Sequence, residues 1–215
     1  MRCRLRERRV IRRRAVQRFL LFLPGALVAP LPVAWSQTPT LPSPIIDDFS
    51  DPAGLSALGT RWQLVTDQVM GGVSRGTLTR ETVAGRPALA MRGDVRLENS
   101  GGFIQMALDL ARPEAPGSGT LDARLWQGLE IDVHGARQSY GLHLRTTDLD
   151  RPWQSYRLGF ATRPVWQSLR LPFADLVPHR TEAPLDLSRL RRLGIVAIGR
   201  AFRADLALGG VRFYG

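Results

Sequence analysis

The chain has 215 residues, 44% of them hydrophobic, and a formal net charge of +11 from 30 basic and 19 acidic side chains. All the basic residues are arginine, and nine of them, with one acid, fall in residues 1–36, leaving 21 arginines against 18 acids in the rest. That near balance argues against a nucleic-acid groove, the lone Cys3 excludes a disulfide framework, and the length suits one sandwich-sized domain. Residues 1–36 combine a basic stretch (Arg2 to Arg18), an apolar stretch (Phe19 to Trp35) and small residues at Ala34 and Ser36, the pattern of an export signal cleaved before Gln37. Pro24, Pro30 and Pro32 break the apolar run and argue against an uncleaved spanning helix. The expected destination is the bacterial periplasm, with organellar import as the second reading of an Arg-rich leader.

Residues 37–44 are rich in proline and read as an extended spacer, so the domain is expected over 45–215. Apolar runs then recur about every ten residues between Gly, Pro, Asp and Asn, the rhythm of an all-β sandwich. Asp47, Asp48 and Asp51 are the densest acidic group. They read equally as turn residues or as oxygen ligands of a structural calcium, the one cofactor the sequence suggests. Trp62, Trp126 and Trp166 each begin a predicted strand and suit core or edge packing. The glycine pairs Gly71-Gly72 and Gly101-Gly102 predict tight turns or bulges, after which Ser74 and Phe103 re-enter sheet, with Phe103 in the core. Residues 113–119 are the most breaker-rich internal segment and predict an exposed loop.

Alternation of period two puts Leu129, Ile131 and Val133 on one strand face and Glu130, Asp132 and His134 on the other. The next strand repeats it, with Tyr140, Leu142 and Leu144 inward and Gly141, His143 and Arg145 outward. Tyr156, Leu158, Phe160, Leu169 and Leu171 continue the apolar set, followed by Ile195, Ala197, Leu206 and Val211, all read as one half-buried sheet. A short helix capped by Ser188 is expected to Arg192.

Two segments carry a family signature: Asp67-Gln68-Val69-Met70-Gly71-Gly72-Val73-Ser74 and Leu97-Glu98-Asn99-Ser100-Gly101-Gly102-Phe103. They resemble the complex I intermediate-associated protein family, whose pattern runs Asp-x-x-Met-Gly-Gly-x-Ser and later Asn-x-Gly-Gly-Phe. The resemblance continues through Trp126-Gln127-Gly128-Leu129, Trp153-Gln154-Ser155-Tyr156, Trp166-Gln167-Ser168-Leu169 and Leu185-Asp186-Leu187-Ser188, covering roughly Ile46 to Tyr214. It implies a galactose-binding-like jelly-roll β-sandwich and a non-catalytic assembly chaperone that holds intermediates of respiratory NADH:ubiquinone oxidoreductase. On that reading Asp67, Met70, Gly71, Gly72, Ser74, Asn99, Gly101 and Gly102 form a loop that is structural or contacts a protein partner. Asp67, Ser74 and Asn99 are expected to bond turn amides through their side chains, and Met70 to plug the sandwich edge or meet the partner.

The alternative is a carbohydrate-binding module. Trp153 follows Asp150-Arg151-Pro152 in a predicted loop, and its ring with Gln154 and Arg145 makes a candidate glycan contact; the competing reading folds the ring over the sandwich edge. Catalysis has little support. His134 and His143, placed on adjacent strands, read as solvated face residues, and Glu130 with Asp132 is the one carboxylate pair a glycosidase could use. No catalytic residue, metal ligand or nucleic-acid partner is assigned.

Overall fold

The computed structural model describes residues 43–111 and 119–215; the leader, most of the spacer and most of the 113–119 loop lie outside the described residues. Among the described residues, twelve strands make two antiparallel six-stranded sheets. The first sheet runs β3 (Arg75–Val83), β4 (Arg86–Val95), β12 (Phe202–Tyr214), β6 (Gly128–Gly135) and β9 (Gln167–Pro172), with β1 (Ile45–Asp47) also on β12. The second runs β10 (Val177–His179), β8 (Ser155–Ala161), β7 (Ser139–Thr146), β11 (Leu190–Ile198), β5 (Phe103–Asp109) and β2 (Gln63–Thr66).

The core between them is built by the alternation expected of half-buried strands. Leu129, Ile131 and Val133 of the first sheet meet Tyr140, Leu142 and Leu144 of the second, together with Ile104, Met106, Leu108, Leu193 and Ile195. Two readings are corrected here. The alternating strands do not form one sheet, and β6 and β7, though consecutive, belong to opposite sheets, so His134 and His143 lie on different faces of the molecule. Their β-hairpin-like spacing resembles that of paired strands, but pairing is non-local and periodicity does not encode it.

In β12 the register shifts between Leu208 and Gly210. The extra residue of the bulge resets parity, so Leu206 and Leu208 before it and Val211 and Phe213 after it all face the core. Before β11 a single 3-10 turn spans Leu187–Arg189; Asp186, not Ser188, caps it, accepting the Ser188 N–H at 2.9 Å. The three early aspartates serve turns. Asp47 is buried, accepting the Phe49 N–H at 2.8 Å and the Trp62 Nε1–H at 2.9 Å, while Asp48 and Asp51 accept the Ser50 and Ala53 N–H groups. Trp126 stacks on Phe213, and Trp166 lies 5.5 Å from the His134 ring.

Candidate binding groove

The first glycine segment folds as one 3-10 turn, Asp67–Met70, that links β2 of the second sheet to β3 of the first. Gly71 ends it in the left-handed region, at φ 89°, with its N–H directed to carbonyls of the turn. Asp67 is fully buried and is the hub. Its Oδ1 accepts the Ser74 N–H at 2.9 Å; its Oδ2 accepts the Ser74 hydroxyl at 2.5 Å, the Gly102 N–H at 2.5 Å and the Phe103 N–H at 3.3 Å. Burial pushes this carboxyl up, but the bonds from Ser74, Gly102 and Phe103 together outweigh it and hold it below the usual aspartate range.

The glycines follow from that hub. A Cβ on Gly72 would overlap the Asp67 carboxyl, and one on Gly101 would sit 2.5 Å from Oδ2. The spacing of the two segments is therefore the spacing of one carboxylate and its cage. Ser74 extends the cage, its Oγ accepting the Arg96 N–H at 2.9 Å. Asn99 contributes differently from expectation: it is exposed and supplies a left-handed backbone, at φ 59°. Met70 is no plug. It is 60% exposed, because the 3-10 turn spends its inward position on Asp67. Phe103 is not core either: β5 turns Ile104 and Met106 inward and leaves Phe103 half-buried on the outer face.

Beside this hub, a groove of about 590 Å³ crosses the outer face of the second sheet. Each of the six strands lines it: Val65 from β2, Phe103 and Gln105 from β5, Arg192, Gly194 and Val196 from β11, His143 and Arg145 from β7, Ser155 and Arg157 from β8, and His179 from β10. Five strand spacings separate its ends, about 24 Å. One end is closed by Val69, Met70, Leu97, Gly101 and Gly102, the outer surface of the aspartate hub. At the other stand Pro152 and Trp153, which is 47% exposed, and Arg180. The structure thus brings Met70 and Trp153, read from the sequence as contacts for different ligands, onto one surface.

Arg145 lies in the groove wall, where one Nη2 donates to the carbonyls of Leu149 (3.1 Å) and Arg151 (2.9 Å), shaping the Trp153 loop. Gln154 does not line the groove. Its Oε1 accepts the Arg151 N–H at 3.0 Å and its Nε2 donates to the Arg180 carbonyl at 3.1 Å, so it ties the tryptophan loop to the turn after β10. Arg180 itself is held at φ 55°, a left-handed conformation uncommon for arginine.

Positive charge crowds the floor. His143, half-buried rather than a solvated face residue, is lowered to about 3, first by burial and then by Arg157 and His179. Burial, with Arg180, likewise lowers Arg157; burial, with Arg191 and Arg192, lowers Arg145. No Asp or Glu is among the described residues lining the groove. The candidate carboxylate pair is elsewhere: Glu130 and Asp132 lie on β6 of the first sheet. Arg170 and Arg212 hold Glu130 low. For Asp132, burial is outweighed by bonds from Arg212, Ser168 and Arg86, leaving it at about 2. A general acid needs the opposite shift.

Among the groove residues that sequence reading passed over are Arg157, His179, Arg180, Gln105 and Ser155. Parity alone pointed to Ser155 and Arg157, since Tyr156 and Leu158 between and beyond them were read as inward. No local signal marks His179 or Arg180.

Two solved structures of the same architecture are carbohydrate-binding modules. The family 11 module from Clostridium thermocellum, in complex with a β-1,3-1,4-mixed-linked tetrasaccharide, has a TM-score of 0.61 at 10% identity, covering 80% of this chain and 95% of its own. The family 30 module of a cellulosomal cellulase from the same organism has a TM-score of 0.52 at 17% identity, covering 72% and 91%. At these identities the likeness establishes the fold, a β-sandwich, and not a ligand. No curated protein matches the chain by sequence. The family model described as complex I intermediate-associated protein 30 matches residues 48–208, a span that contains the caged aspartate, both glycine pairs and every residue that lines the groove. By that match the chain belongs to the complex I intermediate-associated protein 30 family.

Proposed function

We propose that the protein binds a saccharide chain without turning it over, and that the chain lies in the groove on the second sheet. The observation that carries this reading is Trp153, an exposed ring beside a floor of His143, Arg145, Ser155, Arg157 and His179. Sugars are held by a ring against their CH faces and by fixed polar groups that orient their hydroxyls. The fold shared with carbohydrate-binding modules supports the reading by analogy. The absence of turnover is supported by Glu130 and Asp132, which face away from the groove and are held ionised by arginines. Export to the periplasm is proposed from the charge and apolar pattern of residues 1–36, which would bring the domain to envelope or environmental glycans. A glycan array probed with the purified domain tests the reading; a blank array from folded protein at high concentration removes it.

A second reading is favoured by a different observation. Family membership supports an assembly-factor-like role, and the groove's closed end exposes Val69, Met70 and Leu97, with Ile198 close to that rim. Such a patch suits a protein partner, such as an assembly intermediate of a membrane complex. Met70→Asp is expected to leave the melting temperature within about 1 °C, since the side chain is largely in solvent, and to abolish recovery of a co-purifying partner. Unchanged recovery sinks this second reading.

A further inference from the structure

We propose that the saccharide held in this groove is acidic, a chain bearing carboxylate groups that Arg157 and Arg180 engage at the Trp153 end. The inference rests on the saccharide reading above and adds the chemistry of the ligand. Arginine is abundant in this chain, and among the described residues exposed arginines such as Arg75 and Arg203 of the first sheet also lack a carboxylate partner, so neither the number of arginines nor pairing at the surface says much. Pairing discriminates among the half-buried ones, of which Arg145 and Arg157 lack a carboxylate partner. On the first sheet, Arg86 meets Asp132 at 2.5 Å, Arg92 meets Glu81 at 2.6 Å, Arg170 meets Glu130 at 2.7 Å, and Arg212 meets Asp132 at 2.9 Å. In the groove, Arg192 is neutralised by Asp109 at 2.7 Å. Among the described residues, no carboxylate lies within ion-pair distance of Arg145, Arg157 or Arg180.

These cations crowd one another. The charge on Arg157 is disfavoured first by burial and then by Arg180, and His143 and His179 are both lowered, by burial first and then by Arg157. A half-buried guanidinium without a counter-charge costs free energy that an incoming anion returns. Arg157 spends its Nε on the Ser155 hydroxyl at 2.8 Å, which fixes the plane of the guanidinium and leaves its Nη groups as a fork for a carboxylate. Arg180 keeps its left-handed backbone while Gln154 grips its carbonyl, so backbone strain is spent on holding that residue beside the tryptophan loop.

The test uses affinity electrophoresis of the domain in gels containing polygalacturonate, alginate or hyaluronan, with carboxyl-reduced polygalacturonate and mixed-linked β-1,3-1,4-glucan as neutral counterparts. The expected result is retention by at least one acidic polymer and none by the carboxyl-reduced one, with retention weakening between about 0.05 M and about 0.5 M salt. Arg157→Gln with Arg180→Gln is expected to weaken retention at least about tenfold. Arg180→Gln alone, at an exposed position, guards against a folding defect, and melting temperatures are compared throughout. Equal retention by acidic and reduced polymers, or by the neutral glucan alone, overturns the inference and leaves the saccharide reading standing. Acidic retention that the arginine variants do not change also overturns it, because the charge is then read elsewhere. No retention in any gel by folded protein overturns the saccharide reading and the inference with it.

Discussion

Asp67→Asn is expected to destabilise the domain by about 3 kcal/mol at neutral pH, lowering its melting temperature by roughly 6–12 °C. The carboxylate is fully buried and accepts from four donors, the N–H groups of Ser74, Gly102 and Phe103 and the Ser74 hydroxyl. An asparagine of the same shape presents an NH₂ where at least one of those donors points, leaving two hydrogens face to face in a site closed to water. The pH dependence carries a sign. Because the folded-state carboxyl is held below its ordinary value of about 3.9, its contribution is complete above that value and is lost as the pH falls through the folded-state value. The gap in melting temperature between wild type and variant should therefore narrow on acidification below about pH 4. Asp47, which burial pushes up, acts in the opposite sense but is common to both proteins and cancels in the difference. A gap that widens toward low pH would mean the site holds a neutral acid, contrary to the geometry. Gly72→Ala attacks the same hub from the other side, since its Cβ has no room beside the carboxyl.

Trp153→Ala is expected to behave in the reverse manner, leaving the fold intact and removing function. The ring is 47% exposed in a loop and belongs to neither sheet, so its loss should change the melting temperature by less than about 2 °C. On the proposed saccharide reading, retention on a glycan should fall about 10- to 30-fold, corresponding to the roughly 1.5–2 kcal/mol of a well-placed aromatic contact. The same substitution distinguishes contact from support. Gln154→Ala touches no ligand but unties the tryptophan loop from Arg180, so it should weaken retention less than loss of the ring does. If Trp153→Ala retains full binding in folded protein, the groove's Trp153 end is not where the ligand sits.

These two residues also mark where sequence reading succeeds and where it stops. The faces of Leu129 to Val133 and of Tyr140 to Leu144 were legible because burial imposes a two-residue period wherever a strand covers a core. The Asp67 hub was legible in outline, since two glycine pairs and an aspartate at that spacing demand close backbone approach. What the glycines approach was not, because Gly102 lies 35 residues from Asp67 and only the folded chain sets them side by side. The assignment of β6 and β7 to different sheets was hidden for the same reason. Gln154 was misread because an amide next to an exposed tryptophan looks the same in sequence whether it meets a ligand or two backbone groups. Phe103 was misread because one aromatic at a strand start carries no parity of its own.

The span of the Asp67 bonds bears on the order in which the molecule assembles. The Asp67–Gly102 bond closes a 35-residue loop that contains the β3–β4 hairpin, so it is expected to form after that local hairpin rather than with it. Interactions absent from the folding transition state govern how long a native molecule survives, not how fast it forms. Asp67→Asn should accordingly refold at close to the wild-type rate and unfold faster, which stopped-flow kinetics can separate. That carboxylate would then act as a brake on opening, and the lifetime of the groove would be set by a residue buried beneath its end wall.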